Sequence, residues 1–253
     1  MTKKSLSTII SPVVFIAVWY AAAFGVGAPL ILPFPHKVLA KFLFMCKTQI
    51  FWQSFCLTFF RVLFAFLISF ALGFFIGLFS ADFPCFKEFL RFPLCVIRVT
   101  PVVALILVAF FWFKSDFVPV FAAVLMSLPV MIFSCEKGFE KNAENQEKLF
   151  KASCYGFTGF KAFRYLRLPS ALPSITAGLE SVFGLCWKVV AAGEVLSLPR
   201  RSIGSLMQKS QVHLETDEVL ALTFALVLFS WIFQFCLKIA LSKISSKNRR
   251  KAL

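Results

Sequence analysis

Charged residues are scarce in this chain. Only 15% of its 253 residues are charged, whereas 59% are hydrophobic and the mean hydropathy is +0.83. So few polar groups cannot cover the surface of a soluble protein. The composition therefore argues against an ordinary soluble domain and predicts a polytopic membrane protein.

The sequence also lacks the usual motifs for binding metals and nucleotides. His36 and His213 are far apart and have no accompanying ligand pattern, and the eight cysteines include no C-x-x-C pair. No phosphate loop of the G-x-x-x-x-G-K-[ST] kind is present, so the chain is not expected to bind ATP itself. An integral-membrane enzyme ranks last, because no His, Asp, Glu and Cys residues gather at one depth. We expect no catalytic residue, cofactor or metal.

Six apolar blocks approach the roughly 20 residues that a helix needs to cross about 30 Å of hydrocarbon. The blocks are Ile9–Ala28, Cys56–Phe79, Leu94–Phe113, Phe117–Cys135, Leu172–Leu196 and Val219–Leu241. They predict an all-α, six-span transmembrane bundle that forms one domain over residues 1–253. The first block is too long for the apolar core of a signal peptide, so we expect a retained anchor.

The excess of cations predicts the orientation. The chain has 27 Lys and Arg residues against 12 Asp and Glu residues. With six spans, most cations fall on one side, which the positive-inside rule places in the cytoplasm together with both termini. The basic tail "SKISSKNRRKAL" is interpreted as an anchor to anionic membrane lipid, in preference to nucleic-acid binding.

The longest predicted inner loop, residues 136–170, is the most charged part of the chain. Three phenylalanines recur every third residue beside a stripe of three cations: Phe157, Phe160 and Phe163, and Lys161, Arg164 and Arg167. The pattern predicts a short amphipathic helix, and Pro169 and Pro173 predict a turn before the next span. Such a helix suits either a partner protein or the lipid interface, and these residues alone leave both open.

Several motifs in series resemble one family. They are "ILPFPHKVL", "TFFRVLFAFLISFALGFFIGL", "RVTPVVALILVAFFWF", "GLCWKVVAAGEVL" and "LETDEVLA", together with Gly156, Pro169 and the Leu172–Pro173 pair at the spacing of the family's inner loop. From about Ile31 onward the chain resembles the permease subunit of ABC importers, in the subgroup that carries nitrate, sulfonate, taurine, bicarbonate-like and thiamine-precursor solutes.

The resemblance implies a coupling function for the inner loop. In the family, this loop seats a coupling helix on a cytoplasmic ATP-binding ABC subunit. Ala152, Gly156 and Pro169 match the family's motif, and with Phe157, Gly159 and Phe160 they are the residues expected to couple to the ATPase. Phe150 and Lys151 stand where the family's E-A-A signature has Glu and Ala, which removes one polar contact to the ATPase. The resemblance also implies a second permease copy, as a homodimer, and an external solute-binding protein.

Charges inside the membrane are the candidates for a translocation pathway. A charge at the bilayer centre costs at least about 2.5 kcal/mol, so such groups are usually functional or paired. Lys188 lies in the middle of the fifth block and needs a partner from another span, another subunit, water or the solute. It either forms a structural ion pair or lines the pathway. We predict a pathway that includes Lys188, Trp187, Glu194 and Pro101.

Other residues of the blocks are expected to be structural. Arg61 opens the second block and Arg98 the third, where both can reach the interface. Gly73 and Gly77 form a G-x-x-x-G pair, which predicts close helix packing.

The sequence therefore predicts the permease subunit of an ATP-driven importer. The expected solute is small and polar or anionic, of the sulfonate, nitrate, taurine or thiamine-pyrimidine-precursor class. The alternative is a stand-alone channel or secondary carrier whose inner loop is only a lipid-interfacial helix.

Overall fold

The computed structural model describes residues 3–140 and 159–251, which are almost entirely helical. The helices are α1 (Lys3–Val26), α2 (Pro35–Met45), α3 (Gln49–Asp82), α4 (Pro84–Val99), α5 (Val102–Ala109), α6 (Val118–Phe139), α7 (Gly159–Ala162), α8 (Leu168–Ser197), α9 (Ile203–Val212) and α10 (Thr216–Lys251). A π-helical turn, Phe163–Arg167, joins α7 to α8. No strand occurs in these two ranges, so the all-α prediction is confirmed.

Four helical stretches of the described chain are long and apolar enough to cross a membrane. They are α3, α6, the continuous stretch Gly159–Ser197, and Thr216–Lys243 within α10. Helix α3 extends over 34 residues without an internal proline and ends at Asp82. The next residue, Phe83, has the extended backbone that is favoured before a proline such as Pro84. These stretches confirm a polytopic helical bundle.

Helices α3, α6 and α8 form the core, and small residues bring them together. A Cβ added at Gly73 would lie 2.5 Å from Cβ of Met131, and one added at Gly77 would lie 2.6 Å from Cβ of Cys135. The close packing predicted for this glycine pair is confirmed. On a neighbouring face of α6, a Cβ at Gly178 would clash with the side chain of Ser134. Helices without a hydrophobic drive to associate in lipid need such close backbone contact.

A buried polar cluster lies where the three core helices meet. The hydroxyl oxygens of Ser69 and Ser127 are 2.6 Å apart, and Sγ of Cys186 donates to the Ser127 oxygen at 3.5 Å. Each serine oxygen also lies within hydrogen-bond distance of a backbone carbonyl of its own helix, so one hydroxyl can donate to the other serine while the second donates to its carbonyl.

Helices α3 and α6 run parallel, because Gly73 faces Met131 and Gly77 faces Cys135. One end of the bundle is called the Arg61 end, and it holds Arg61, Asp116 and Glu194. The opposite Asp82 end holds Asp82, Glu136 and Arg167. Arg61 and Asp82 are about 30 Å apart along α3 by helix rise. The chain between α3 and α6 must therefore return across the bundle.

This return is made by a broken helix pair, and the third apolar block is not one helix. Helices α4 and α5 meet at Thr100 and Pro101 at an angle of 97°. Pro101 removes a backbone donor and disfavours helical backbone in the residue before it, which explains why the predicted third span is broken here. Arg98 consequently lies in the last turn of α4, with its guanidinium carbon 5.3 Å from the ring centre of Phe133, and does not open a span.

The turn predicted at Pro169 and Pro173 is also absent, because both prolines lie in the continuous helix α8. The preceding π-helical turn explains this difference for Pro169. The N–H of Leu168 donates to the carbonyl of Phe163, five residues earlier, which widens the helix just before Pro169. A widened turn relieves the clash between a proline ring and the carbonyl four residues before it.

Helix α1 corresponds to the first predicted span. Its apolar stretch, Ile10–Val26, is shorter than those of the four long helices. With the bent pair α4–α5 counted as one, the described residues contain up to five spans, and the sixth stays a prediction.

Candidate functional site

A buried ionic network centred on Glu194 occupies the Arg61 end. The Glu194 side chain has 0% exposure and that of Arg61 has 13%. Nη1 of Arg61 donates to Oε1 of Glu194 at 2.9 Å, and Oγ1 of Thr58 donates to Oε2 at 2.8 Å. The backbone N–H of Gly204 donates to the same Oε2 at 3.3 Å. Both carboxylate oxygens have donors, as a buried carboxylate requires.

The same network connects segments of the chain that are far apart in sequence. Arg61 donates to the carbonyl oxygen of Arg201 at 3.1 Å and to Oδ1 of Asp116 at 2.8 Å. A Cβ added at Gly204 would lie 2.4 Å from Cβ of Glu194, so the absence of a side chain lets α9 approach α8. Arg61 thus connects α3 with α8, with the turn before α9 and with the segment before α6.

Two partly exposed ion pairs occupy the Asp82 end. Nη2 of Arg167 lies 2.8 Å from Oδ1 of Asp82, and Nη1 of Arg167 lies 3.2 Å from Oδ2. The side chains of Arg167 and Asp82 are 20% and 29% exposed. Nζ of Lys87 lies 2.8 Å from Glu136, which also accepts from the Ser80 hydroxyl at 3.0 Å. These contacts join the π-helical turn to the end of α3, and α4 to the end of α6.

The four predicted pathway residues do not form one cluster. Trp187 and Glu194 are buried, and Nε1 of Trp187 donates to the carbonyl of Leu226 in α10 at 3.1 Å. Lys188 is exposed and makes no hydrogen bond or ion pair with any residue the structure describes. Pro101 is exposed at the break between α4 and α5. Their assignment to a pathway stays a prediction.

The predicted coupling residues are only partly covered by the structure. Ala152, Gly156 and Phe157 lie outside the described residues. Gly159 begins α7 with a positive φ of 55°, and Phe160 beside it is 73% exposed. Phe163 and Pro169 are partly buried, with the ring centre of Phe163 lying 5.9 Å from that of Phe139. Phe160 and Phe163 therefore do not form one exposed stripe.

The ionic network at the Arg61 end was not predicted from the sequence. Arg61 was expected to reach the membrane interface in a structural role, and Glu194 was assigned to the pathway. One signal was available, since both residues fall near the same membrane face in the predicted topology, and opposite charges in spans commonly pair.

Comparison with known proteins identifies the family. Residues 69–250 match the family described as "Binding-protein-dependent transport system inner membrane component". This match covers well over half of the 253 residues. The chain belongs to this family. It is a permease of the ABC importer type, a multi-pass component of the inner membrane and not an enzyme.

Two relatives of the permease come from Escherichia coli (strain K12). The putative aliphatic sulfonates transport permease protein SsuC is 29% identical, over 87% of this chain and 82% of the relative. The taurine transport system permease protein TauC is 25% identical, over 87% of this chain and 81% of the relative. Both alignments extend over most of each protein, so the similarity concerns the whole bundle. The resemblance seen in the sequence motifs is confirmed.

Proposed function

We propose that two copies of this permease form a translocation pathway between them, lined by α8, and that Lys188 contacts an anionic solute there. The exposed face of α8 supports this proposal. Its exposed residues are Ser170, Pro173, Ala177, Ser181, Lys188, Ala192 and Leu196. Most of them are small or polar, whereas the exposed residues of α3 include Phe60, Phe64, Leu67, Phe75 and Phe79. Large apolar side chains suit lipid, and a small polar face with a cation suits another protein surface or water.

Lys188 is the residue that carries this proposal. A lysine facing hydrocarbon at the helix centre would cost about 2.5–3.5 kcal/mol, so an exposed lysine without a protein partner needs water or an anion. Pro101 contributes the break in the third span. Trp187 and Glu194 are buried on the side of α8 that packs against the bundle, and in this proposal they hold α8 in position.

The names of the two relatives favour a small organosulfonate as the solute. A sulfonate carries one negative charge and three acceptor oxygens, which match the compact charge and three donors of a lysine ammonium. Nitrate and a thiamine-pyrimidine precursor are the competing solutes.

Replacing Lys188 with Met tests the pathway. We expect the half-saturating concentration of labelled taurine or ethanesulfonate to rise at least about tenfold, since a hydrogen bond to a charged group contributes about 1.5–3 kcal/mol. Lys209→Met is the matched control, because Lys209 is an exposed lysine on α9. Normal uptake with unchanged half-saturation in Lys188→Met would overturn the role of Lys188.

We further propose that residues 136–170, here called the coupling segment, seat on a cytoplasmic ATP-binding subunit. The segment joins α6 to α8 at the Asp82 end and presents Phe160 to solvent. Its cations place this end in the cytoplasm by the positive-inside rule, together with both chain termini. An ATP-driven partner at this position would move the helices between two states.

The remaining proposed partners follow from the same orientation. An external solute-binding protein would approach the Arg61 end, where Arg200 and Arg201 are exposed. Membrane lipid would contact the phenylalanine-rich face of α3 and the basic tail.

Capture of the ATP-binding subunit tests the coupling segment. Phe160→Ser is expected to reduce the amount of subunit that copurifies, because an exposed aromatic contact is lost. Phe89→Ser is the matched control, since Phe89 on α4 is also 73% exposed.

Gly156→Pro is expected to abolish transport while leaving membrane insertion intact. Solute uptake by the permease alone in ATP-free vesicles would instead favour a stand-alone carrier.

A further inference from the structure

Arg167 contacts the ends of two core helices at once. Its guanidinium makes a two-point contact with Asp82, the last residue of α3, at 2.8 and 3.2 Å. Its guanidinium carbon also lies 5.9 Å from the ring centre of Phe139, the last residue of α6. Arg167 is the last residue of the π-helical turn Phe163–Arg167. One side chain of the coupling segment thus connects the segment with α3 and α6.

The coupling segment leaves and rejoins the bundle at one place. At its start, a Cβ added at Gly138 would lie 3.0 Å from the carbonyl oxygen of Ala171 in α8. Phe139 then packs against Phe163 on the returning chain, with ring centres 5.9 Å apart. A displacement of the segment can therefore reach the bundle through this junction.

Within the junction, the contact with α3 differs from the contacts with α6. The contacts of Gly138 and Phe139 tie the segment to helices with which it is already continuous in sequence. Asp82 belongs to a different part of the chain and is followed, after Phe83, by α4. The Asp82–Arg167 pair is partly exposed, so it can separate and reform without burying an unpaired charge.

We infer that the Asp82–Arg167 ion pair transmits movement of the coupling segment to α3 and α4, so that both are positioning residues for transport. This inference rests on the proposed function, in which the segment seats on an ATP-binding subunit. π-Helical turns occur frequently at functional positions in helices, which agrees with the location of Arg167.

Reversing the charges of the ion pair tests this inference, and the labelling rate of a native cysteine is the readout. The test does not require the solute to be known. Cys85 is exposed at the beginning of α4, three residues after Asp82. The measurement is the rate of maleimide labelling of Cys85, determined by mass spectrometry on the permease with its captured ATP-binding subunit. We expect ATP with vanadate to change this rate in the unmodified complex by at least about fivefold, the lower end of measured couplings between sites.

The reversals Asp82→Arg and Arg167→Asp are each expected to abolish this ATP response, with capture of the subunit retained. The double reversal restores opposite charges across the same gap and is expected to recover the response. Arg91→Asp is the control, because Arg91 pairs with Glu88 on the exposed face of α4 at 3.4 Å. If a charge-reversed variant does not insert into the membrane, the neutral variant Arg167→Gln is measured instead, and the same loss of the ATP response is expected.

Three results would overturn the inference. The single reversals could respond to ATP as the unmodified complex does, or the double reversal could fail to recover the response. In either case the captured subunit shows that the proposed function stands. If the unmodified permease captures no ATP-binding subunit, the proposed coupling function fails and this inference fails with it.

Discussion

The two ends of the bundle handle charge differently. At the Arg61 end, Glu194 is fully enclosed, and its carboxylate accepts hydrogen bonds from an arginine, a hydroxyl and a backbone N–H. At the Asp82 end, the ion pairs of Arg167 and Lys87 lie partly in solvent. Breaking a buried pair leaves an uncompensated charge, whereas solvent compensates the partners of an exposed pair. The Arg61 end is therefore built to stay fixed, and the Asp82 end can rearrange.

Replacing Arg61 with Met should have the largest effect, because Glu194 loses its buried cation. We expect a loss of about 3–5 kcal/mol in the free energy of unfolding, the range for breaking a buried ion pair. Thermal unfolding of the purified protein in detergent measures this loss. Arg201→Met is the control, because Arg61 bonds only the backbone carbonyl of Arg201. Equal stability of the two variants would remove the distinction between the two ends.

Replacing Gly77 with Val should have an intermediate effect, because it disturbs the close contact between α3 and α6 near the Asp82 end. The new Cβ would lie 2.6 Å from Cβ of Cys135 and 2.7 Å from the carbonyl oxygen of Ile132. Overpacking of this kind costs about 1–3 kcal/mol. Gly25→Val is the control, since no atom lies within 4 Å of a Cβ at Gly25. A melting temperature as high as that of the control would contradict the close packing of α3 on α6.

Replacing Lys87 with Met should have the smallest effect. Glu136 keeps its hydrogen bond from Ser80, and the pair lies partly in solvent because the Lys87 side chain is 43% exposed. An exposed ion pair contributes about 0–1 kcal/mol, so the unfolding curve is expected to shift little. A loss as large as that of Arg61→Met would show that the Asp82 end is as fixed as the opposite one.

The sequence predicted the long helices well, because spanning a membrane is a property of length and composition. The second block, Cys56–Phe79, lies within α3, which begins seven residues earlier at Gln49. A helix does not have to end where its apolar stretch ends. Gly73 and Gly77 were also recognisable, since a G-x-x-x-G pair places both glycines on one face of a helix.

Two features could not be derived from local patterns. The sequence marks Pro101 as a disturbance, but the 97° angle depends on how α4 and α5 pack against the rest of the bundle. The pairing of Arg61 with Glu194 joins residues 133 positions apart, and no periodicity within one helix reports such a contact. Pro169 was misleading for a related reason, since a π-helical turn accommodates the ring that would otherwise end a helix.

The junction around Gly138, Phe139 and Phe163 has an evolutionary consequence. Gly138 lies against Ala171 and Phe139 against Phe163, so α6 and the beginning of α8 are packed together independently of residues 141–158. If the proposed coupling holds, exchanging those residues for the corresponding piece of a related permease would change which ATP-binding subunit is captured and would leave the packing of α6 on α8 in place. Phe150 and Lys151, which stand where the family signature has a glutamate and an alanine, lie in that stretch.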